Sequence, residues 1–132
     1  MITFVDTSGW VASVLPEDPG HTAMVGYVST YTGVLLTTDY VIDEALTLLR
    51  ARGLNHRALQ FGRVLYDLRP HRIYYLERSD IQAAWSTFRD QPERGWSFTD
   101  CTSKVVIERF HIKRVLTLDR HFAEFGALAI LP

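Results

Sequence analysis

Four carboxylates, Asp6, Glu44, Asp100 and Asp119, are the side chains of this sequence whose types and settings could do chemistry together. Asp6 ends the apolar run Ile2-Thr-Phe-Val and is followed by Thr7-Ser8. Asp119 ends Val115-Leu-Thr-Leu in the same way. Glu44 falls in the second turn of a helix that follows another apolar run, and Asp100 opens a helix at Ser97-Phe-Thr-Asp100. Carboxylates brought together repel and raise one another's pKa values, so such a group is stable mainly as a cage for a divalent cation. Oxygen donors, with no Cys/His set beside them, suit hard Mg²⁺ or Mn²⁺.

Each acid also has a plain structural explanation. Asp6 and Asp119 stand where helix N-caps are wanted, and such caps are worth ~1 kcal/mol without any function. Asp100 completes a capping-box pattern with Ser97 and faces Lys104 as an i,i+4 pair. Glu44 could be a solvated helix acid, but Val41 and Leu48 flank it at i−3 and i+4. It therefore borders the apolar stripe, where an acid is costly unless something positive receives it, whereas Asp43 points further toward solvent. Of the five histidines, His21, His56, His71 and His111 are scattered without ligand spacing; His121, two residues after Asp119, is the candidate modulator.

The elements that must position these groups follow from periodicity and breakers. Strands are predicted at 2–5, 33–38, 73–76, 114–118 and 127–131. Helices are predicted over 7–15, 21–31, 39–52 (capped by Thr38 or Asp39 and stopped at Gly53), 55–68 (capped by Asn55 and ended by Pro70), 79–88 (capped by Ser79) and 97–110, with one or two helical turns over 120–125. Residues 91–95 read as an exposed turn. Strands separated by helices point to an α/β domain with a mainly parallel sheet and helices on both faces. Asp6 and Asp119 then share the C-terminal edge of the sheet, where ligand sites of open α/β folds lie, with Glu44 close by. Topology alone does not bring Asp100 there; only the chemistry asks for it.

At 132 residues the chain reads as a single domain, 1–132. Its one cysteine, Cys101, excludes an internal disulfide framework, and no apolar run approaches the ~20 residues of a membrane span. With no basic-then-apolar leader at the start, the expected location is the cytoplasm, with no membrane partner. A net charge of −1 argues against bulk-charge binding of nucleic acid, but seven of the fourteen Lys and Arg residues fall between Arg50 and Arg78. Arg50, Arg52 and Arg57 among them suit either phosphate contacts or ordinary surface pairing.

Four segments, Phe4-Val-Asp-Thr-Ser8, Thr37-Thr-Asp-Tyr-Val-Ile-Asp-Glu-Ala-Leu-Thr-Leu-Leu49, Ser97-Phe-Thr-Asp-Cys101 and Thr117-Leu-Asp-Arg-His-Phe122, occur in an order and at separations that resemble the PIN-domain ribonucleases, and most closely the VapC-type toxins of toxin-antitoxin pairs. The resemblance spans nearly the whole chain. It implies a three-layer α/β/α PIN-like fold with a five-stranded sheet in the order 3-2-1-4-5, and an active site of Asp6, Glu44, Asp100 and Asp119 supported by Ser8 and Thr99. It further implies Mg²⁺- or Mn²⁺-dependent hydrolysis of RNA, a small antitoxin partner and a homodimer. His121 is a departure, because many relatives carry a further acid just after the fourth one.

Trp10 and Val14 read as core residues or as a contact surface for the antitoxin or a second copy. A PIN-domain processing nuclease without a toxin role, or a PIN-like module with an idle metal site, would share these motifs. A phosphoacceptor receiver domain fits poorly: it wants an acceptor Asp after the third strand and a late Lys. Here that strand runs into Glu77-Arg-Ser-Asp80 and no Lys follows Lys113.

Overall fold

The computed structural model describes residues 1–68, 71–125 and 129–131, without the side chains of 68 and 129–131. Five strands, β1 (Ile2–Val5), β2 (Val34–Thr38), β3 (His71–Tyr74), β4 (Arg114–Leu116) and β5 (Ala129–Leu131), form one sheet in the order β3-β2-β1-β4-β5. All four pairings are parallel. Six α-helices flank it: α1 (Thr7–Val14), α2 (His21–Thr30), α3 (Asp39–Ala51), α4 (Asn55–Arg63), α5 (Arg78–Asp90) and α6 (Phe98–Arg109). The α/β class, strand order and parallel pairing are those expected.

β1 is the central strand because it can be buried on both faces. Thr3, Phe4 and Val5 are fully buried, and Phe4 lies beside Leu36 on one side and Val115 on the other. Trp10 belongs to the core and is not a contact surface: its indole N–H donates to Thr37 Oγ1 at 3.0 Å, and its ring packs against Phe61 and His71. Val14 is half-buried.

Several boundaries shift for identifiable reasons. Asn55 is the first residue of α4 and not its cap; its side chain accepts from Arg50 Nε at 2.8 Å. The turn before it is instead closed by the backbone. Gly53, at φ +75°, donates to the Arg50 carbonyl, and Leu54 donates to the Leu49 carbonyl, the paired bonds of a Schellman motif. The helix predicted to Leu68 changes at Val64 into a π-helical turn, Val64–Leu68, while Pro70 and Ala127, taken as a helix stop and a strand start, lie outside the described residues.

β3 starts and stops two residues earlier than expected. Beyond Tyr74 the Leu76 N–H is taken by the Asp39 carboxylate at 3.1 Å, and the Glu77 N–H by Asp80 at 2.9 Å, which turns the chain out of the sheet. Glu77, not Ser79, is therefore the N-cap of α5. Lys104 pairs with Glu108 and not with Asp100. The exposed turn at 91–95 holds a 3₁₀ turn, Pro92–Arg94, and the turns at 120–125 are also 3₁₀.

Candidate active site

β1 and β4 run side by side in parallel, with Val5 opposite Leu116, so the residues that follow them emerge at one sheet edge. There side chains take over from the strand ladder. Asp6 caps α1, its Oδ1 accepting from the Gly9 N–H at 3.1 Å and from Ser8 Oγ at 2.9 Å. Ser8 Oγ in turn accepts from the Leu118 N–H at 2.8 Å and contacts Thr117 Oγ1 at 3.1 Å. With Ser8's one proton on Asp6, Thr117 is the donor in that contact. Thr117 Oγ1 also accepts from the Asp119 N–H at 2.9 Å. This chain of hydroxyls ends β4 at Leu116, two residues earlier than predicted, and fixes Asp119 relative to Asp6.

Sequence reasoning singled out Ser8 but passed over Thr117 and Gly9. A Cβ on Gly9 would lie 2.7 Å from the Leu116 carbonyl oxygen and 3.1 Å from Val5 Cγ1, so only glycine lets α1 start this close to β4. The signal was a glycine in the first turn of a helix, where it is otherwise unfavourable.

Asp100 reaches the same region from α6. Ser97 Oγ accepts from the Asp100 N–H at 3.0 Å, and Asp100 Oδ2 accepts from the Ser97 N–H at 3.1 Å, the reciprocal capping box anticipated from the sequence. Thr99, beside it, offers its backbone carbonyl to Thr102 Oγ1. Asp119 Oδ1 accepts from the His121 N–H at 2.9 Å, and the ring of His121 turns back so that Nδ1 lies 3.4 Å from Asp100 Oδ2 and 3.5 Å from Asp119 Oδ1. The functions of capping and of site-building therefore coincide in Asp6 and Asp100.

Asp6, Ser8, Glu44, Arg52, Leu118 and Asp119 line a cleft of about 280 Å³. Asp100 adjoins this group through Asp119 and His121 and feels the negative charge of both Asp119 and Glu44. Burial pushes the Asp6 carboxyl up to about 7 against the bonds from Gly9 and Ser8 and the nearby Thr117 hydroxyl, and the charge of Asp119 adds to the rise. Burial also raises Asp100, opposed by the Ser97 N–H and by His121. Near neutral pH the site thus holds more negative charge than its surroundings compensate. The donor set fits a divalent cation: one oxygen each from Asp100 and Asp119 and a nitrogen of His121 lie within 4.8 Å of one another.

Of the three candidate RNA-contacting arginines, Arg52 is the one that lines the acidic cleft. Arg50 is held by Asn55 and lines a separate groove of about 630 Å³ between α3 and α4, while Arg57 bonds Gln60 on the exposed side of α4. The receiver reading fails on Asp80, the acid after β3, which is buried against Arg109 at 2.5 Å and Tyr74 Oη at 2.6 Å.

No family model matches the chain. A curated protein, the 23S rRNA-specific endonuclease VapC20 of Mycobacterium tuberculosis, is 28% identical over 129 residues, covering 98% of each chain. The crystal structure of M. tuberculosis VapC20, described as a sarcin-ricin loop cleaving toxin, superposes with a TM-score of 0.90 at 26% identity, covering 98% of this chain and 99% of that one. VapBC2 of Rickettsia felis, bound to a promoter DNA fragment, shares the fold with a TM-score of 0.73 at 10% identity, over 98% of this chain and 97% of that one. Along nearly its whole length the chain is thus similar to a VapC-type ribonuclease toxin, in sequence and in fold, and it carries Asp6, Glu44 and Asp119 in one cleft with Asp100 adjoining through Asp119 and His121.

Proposed function

We propose that this chain is a divalent-metal-dependent endoribonuclease and the toxin of a toxin-antitoxin pair, with Asp6, Glu44, Asp100 and Asp119 as its working acids. The observation that carries the reading is the acidic cleft, in which a buried carboxyl, Asp6, is pushed up to about 7 with no basic side chain of the described residues bonded to it. A site of this kind costs stability unless a cation enters it.

When bound, Mg²⁺ or Mn²⁺ would lower the pKa of a water and offset charge on the scissile phosphate. The chain's own residues supply the rest. Asp6 and Asp100, each held by N–H bonds at a helix start, are preorganised donors, and Asp119 and Glu44 complete the set around the cleft. Ser8 and Thr117 keep the Asp6 and Asp119 backbones in register, and Thr99 stands beside Asp100 as a support. Arg52, on the cleft wall, is placed to hold a substrate phosphate.

The relatives support a structured ribosomal RNA loop as substrate and a small antitoxin as partner. The groove lined by Leu46, Ala58 and Leu59 and edged by Arg50 and Arg63 offers an apolar seat with basic rims for a segment of that partner. Trp85 and Phe88, stacked and exposed on α5, support self-association as a homodimer. No helix among the described residues is long and apolar enough to cross a membrane, and the proposed site of action is the cytoplasm.

The test is cleavage of intact ribosomes and of an isolated ribosomal RNA hairpin by the purified protein in Mg²⁺ or Mn²⁺, with a chelator control. Wild-type protein should cut at a discrete position. Asp6→Asn should lose at least 100-fold, on the scale of losing a group that positions the reacting atoms. An Asp6→Asn enzyme of full activity would refute the assignment.

A further inference from the structure

The acids alone do not account for His121. Its Nδ1 is buried and has no hydrogen-bond partner among the described residues, although the side chain as a whole is about 39% exposed. A buried imidazole nitrogen without a partner is costly unless something receives it. Among the described residues the acceptors facing it are Asp100 Oδ2 at 3.4 Å and Asp119 Oδ1 at 3.5 Å, each already accepting a backbone N–H. Those distances are long for hydrogen bonds but close to the ~3 Å edge of a coordination polyhedron whose bonds are about 2.1 Å. The ring is also fixed from behind, since the His121 N–H is bonded to the same Asp119 whose Oδ1 faces Nδ1.

We infer that His121 Nδ1 is a direct ligand of the ion held by Asp100 and Asp119, which makes this a mixed nitrogen-oxygen site. The consequence is a changed metal preference. Imidazole is a poor partner for Mg²⁺ and a good one for the transition ions, so the site favours Mn²⁺, and Co²⁺ still more, over Mg²⁺ beyond what an all-oxygen set would give. His121 thereby determines which ion occupies the site, and this holds independently of which RNA is cut. The inference rests on the metal-dependent nuclease reading above.

The experiment is pulsed electron paramagnetic resonance on the Mn²⁺-loaded full chain, with calorimetric titration of Mn²⁺ and Mg²⁺ into wild type, His121→Asn and His121→Asp. Wild-type protein should show nitrogen hyperfine coupling to Mn²⁺ that both variants lack. His121→Asn should weaken Mn²⁺ binding about 10-fold or more, with a smaller effect on Mg²⁺, while His121→Asp should bring the Mn²⁺/Mg²⁺ affinity ratio down and restore Mg²⁺ binding. If His121 serves only as a positive counter-charge, removing it tightens Mn²⁺ binding and the wild-type spectrum has no nitrogen coupling; that result overturns the inference. A protein that binds Mn²⁺ and cleaves RNA without nitrogen coupling also overturns it and leaves the nuclease reading standing. A protein that binds no divalent ion and cleaves nothing sinks the nuclease reading itself. Should either variant fail to fold, the wild-type spectrum alone decides.

Discussion

Replacing Asp6 by Asn should make the metal-free protein more stable at pH 8 while abolishing cleavage. The Asp6 carboxyl is raised from 3.8 to about 7, chiefly by burial, so between those values the folded chain holds a proton that the unfolded chain has released. A group with a raised folded-state pKa contributes stability that is present below its unfolded pKa and is lost as pH climbs to the folded one. A rise of about three pH units at ~1.36 kcal/mol each gives a loss of about 4 kcal/mol between pH 4 and pH 7, constant above that. Asparagine caps a helix as well as aspartate does, and its carbonyl can accept from the Gly9 N–H and Ser8 Oγ as Asp6 Oδ1 does now. The cap therefore survives and only the buried charge goes. Urea denaturation in chelator should show near-equal stabilities at pH 4 and an advantage of about 2–4 kcal/mol for the variant at pH 8. Adding Mg²⁺ should narrow the gap, because only the wild type gains binding energy. A variant equal to or weaker than wild type at pH 8 would show that Asp6 is not strained by burial, and the argument for a cation-dependent site would lose its basis.

Three further outcomes follow from the same contacts. Gly9→Ala drives a methyl against the Leu116 carbonyl, so α1 must lift from β4; a loss of about 1–3 kcal/mol in urea unfolding is expected, with weaker cleavage as Asp6 and Asp119 separate. His111, at φ +52°, closes α6 in a second Schellman turn in which it donates to the Glu108 carbonyl and Ile112 donates to the Ile107 carbonyl, so His111→Gly should stabilise the fold by about 1 kcal/mol in the same assay. Burial acts to raise Asp80, but Tyr74 Oη, the Glu77 N–H and Arg109 outweigh it and its carboxyl lies below the ordinary value. Its stabilising contribution is thus present above the unfolded pKa of 3.8 and lost as pH falls below it, and Arg109→Met should lower the urea midpoint at pH 7 while flattening the stability loss below pH 4.

The sheet was legible because its strands lie in or overlap short apolar runs bounded by turn residues, and the central one, Ile2–Val5, is apolar or β-branched at all four positions. Strand order came through the family resemblance, not through periodicity. Boundaries were lost where a side chain captured the next backbone N–H. The carboxylate of Asp39 removed Leu76 from β3, and Ser8, more than a hundred residues distant in sequence, removed Leu118 from β4. No local pattern encodes either bond. The acids themselves were readable from their positions after strands and at helix starts. The arginines were not, because which of Arg50, Arg52 and Arg57 faces the cleft depends on the turn at Gly53: Arg52 caps α3 and lines the cleft, while Arg50 is drawn to Asn55.

The lost boundary at β4 also explains how the site stays intact while its charge goes uncompensated. Had the ladder between β1 and β4 continued to Leu118, the Asp119 N–H and Leu118 N–H would point at neighbouring backbone, and Asp6 and Asp119 would be placed by strand geometry alone. Instead both N–H groups are satisfied by hydroxyls, Thr117 and Ser8, and Ser8 spends its own proton on Asp6. Neutral donors of this sort orient carboxylates without neutralising them, which a lysine or arginine in the same place would do. The arrangement therefore keeps two acids close and still charge-hungry. Ser8→Ala would leave the Leu118 N–H without its partner and free Asp6 to turn, so loss of activity without loss of the acids is the expected mark of a positioning residue, readable as weakened Mn²⁺ binding in a folded protein.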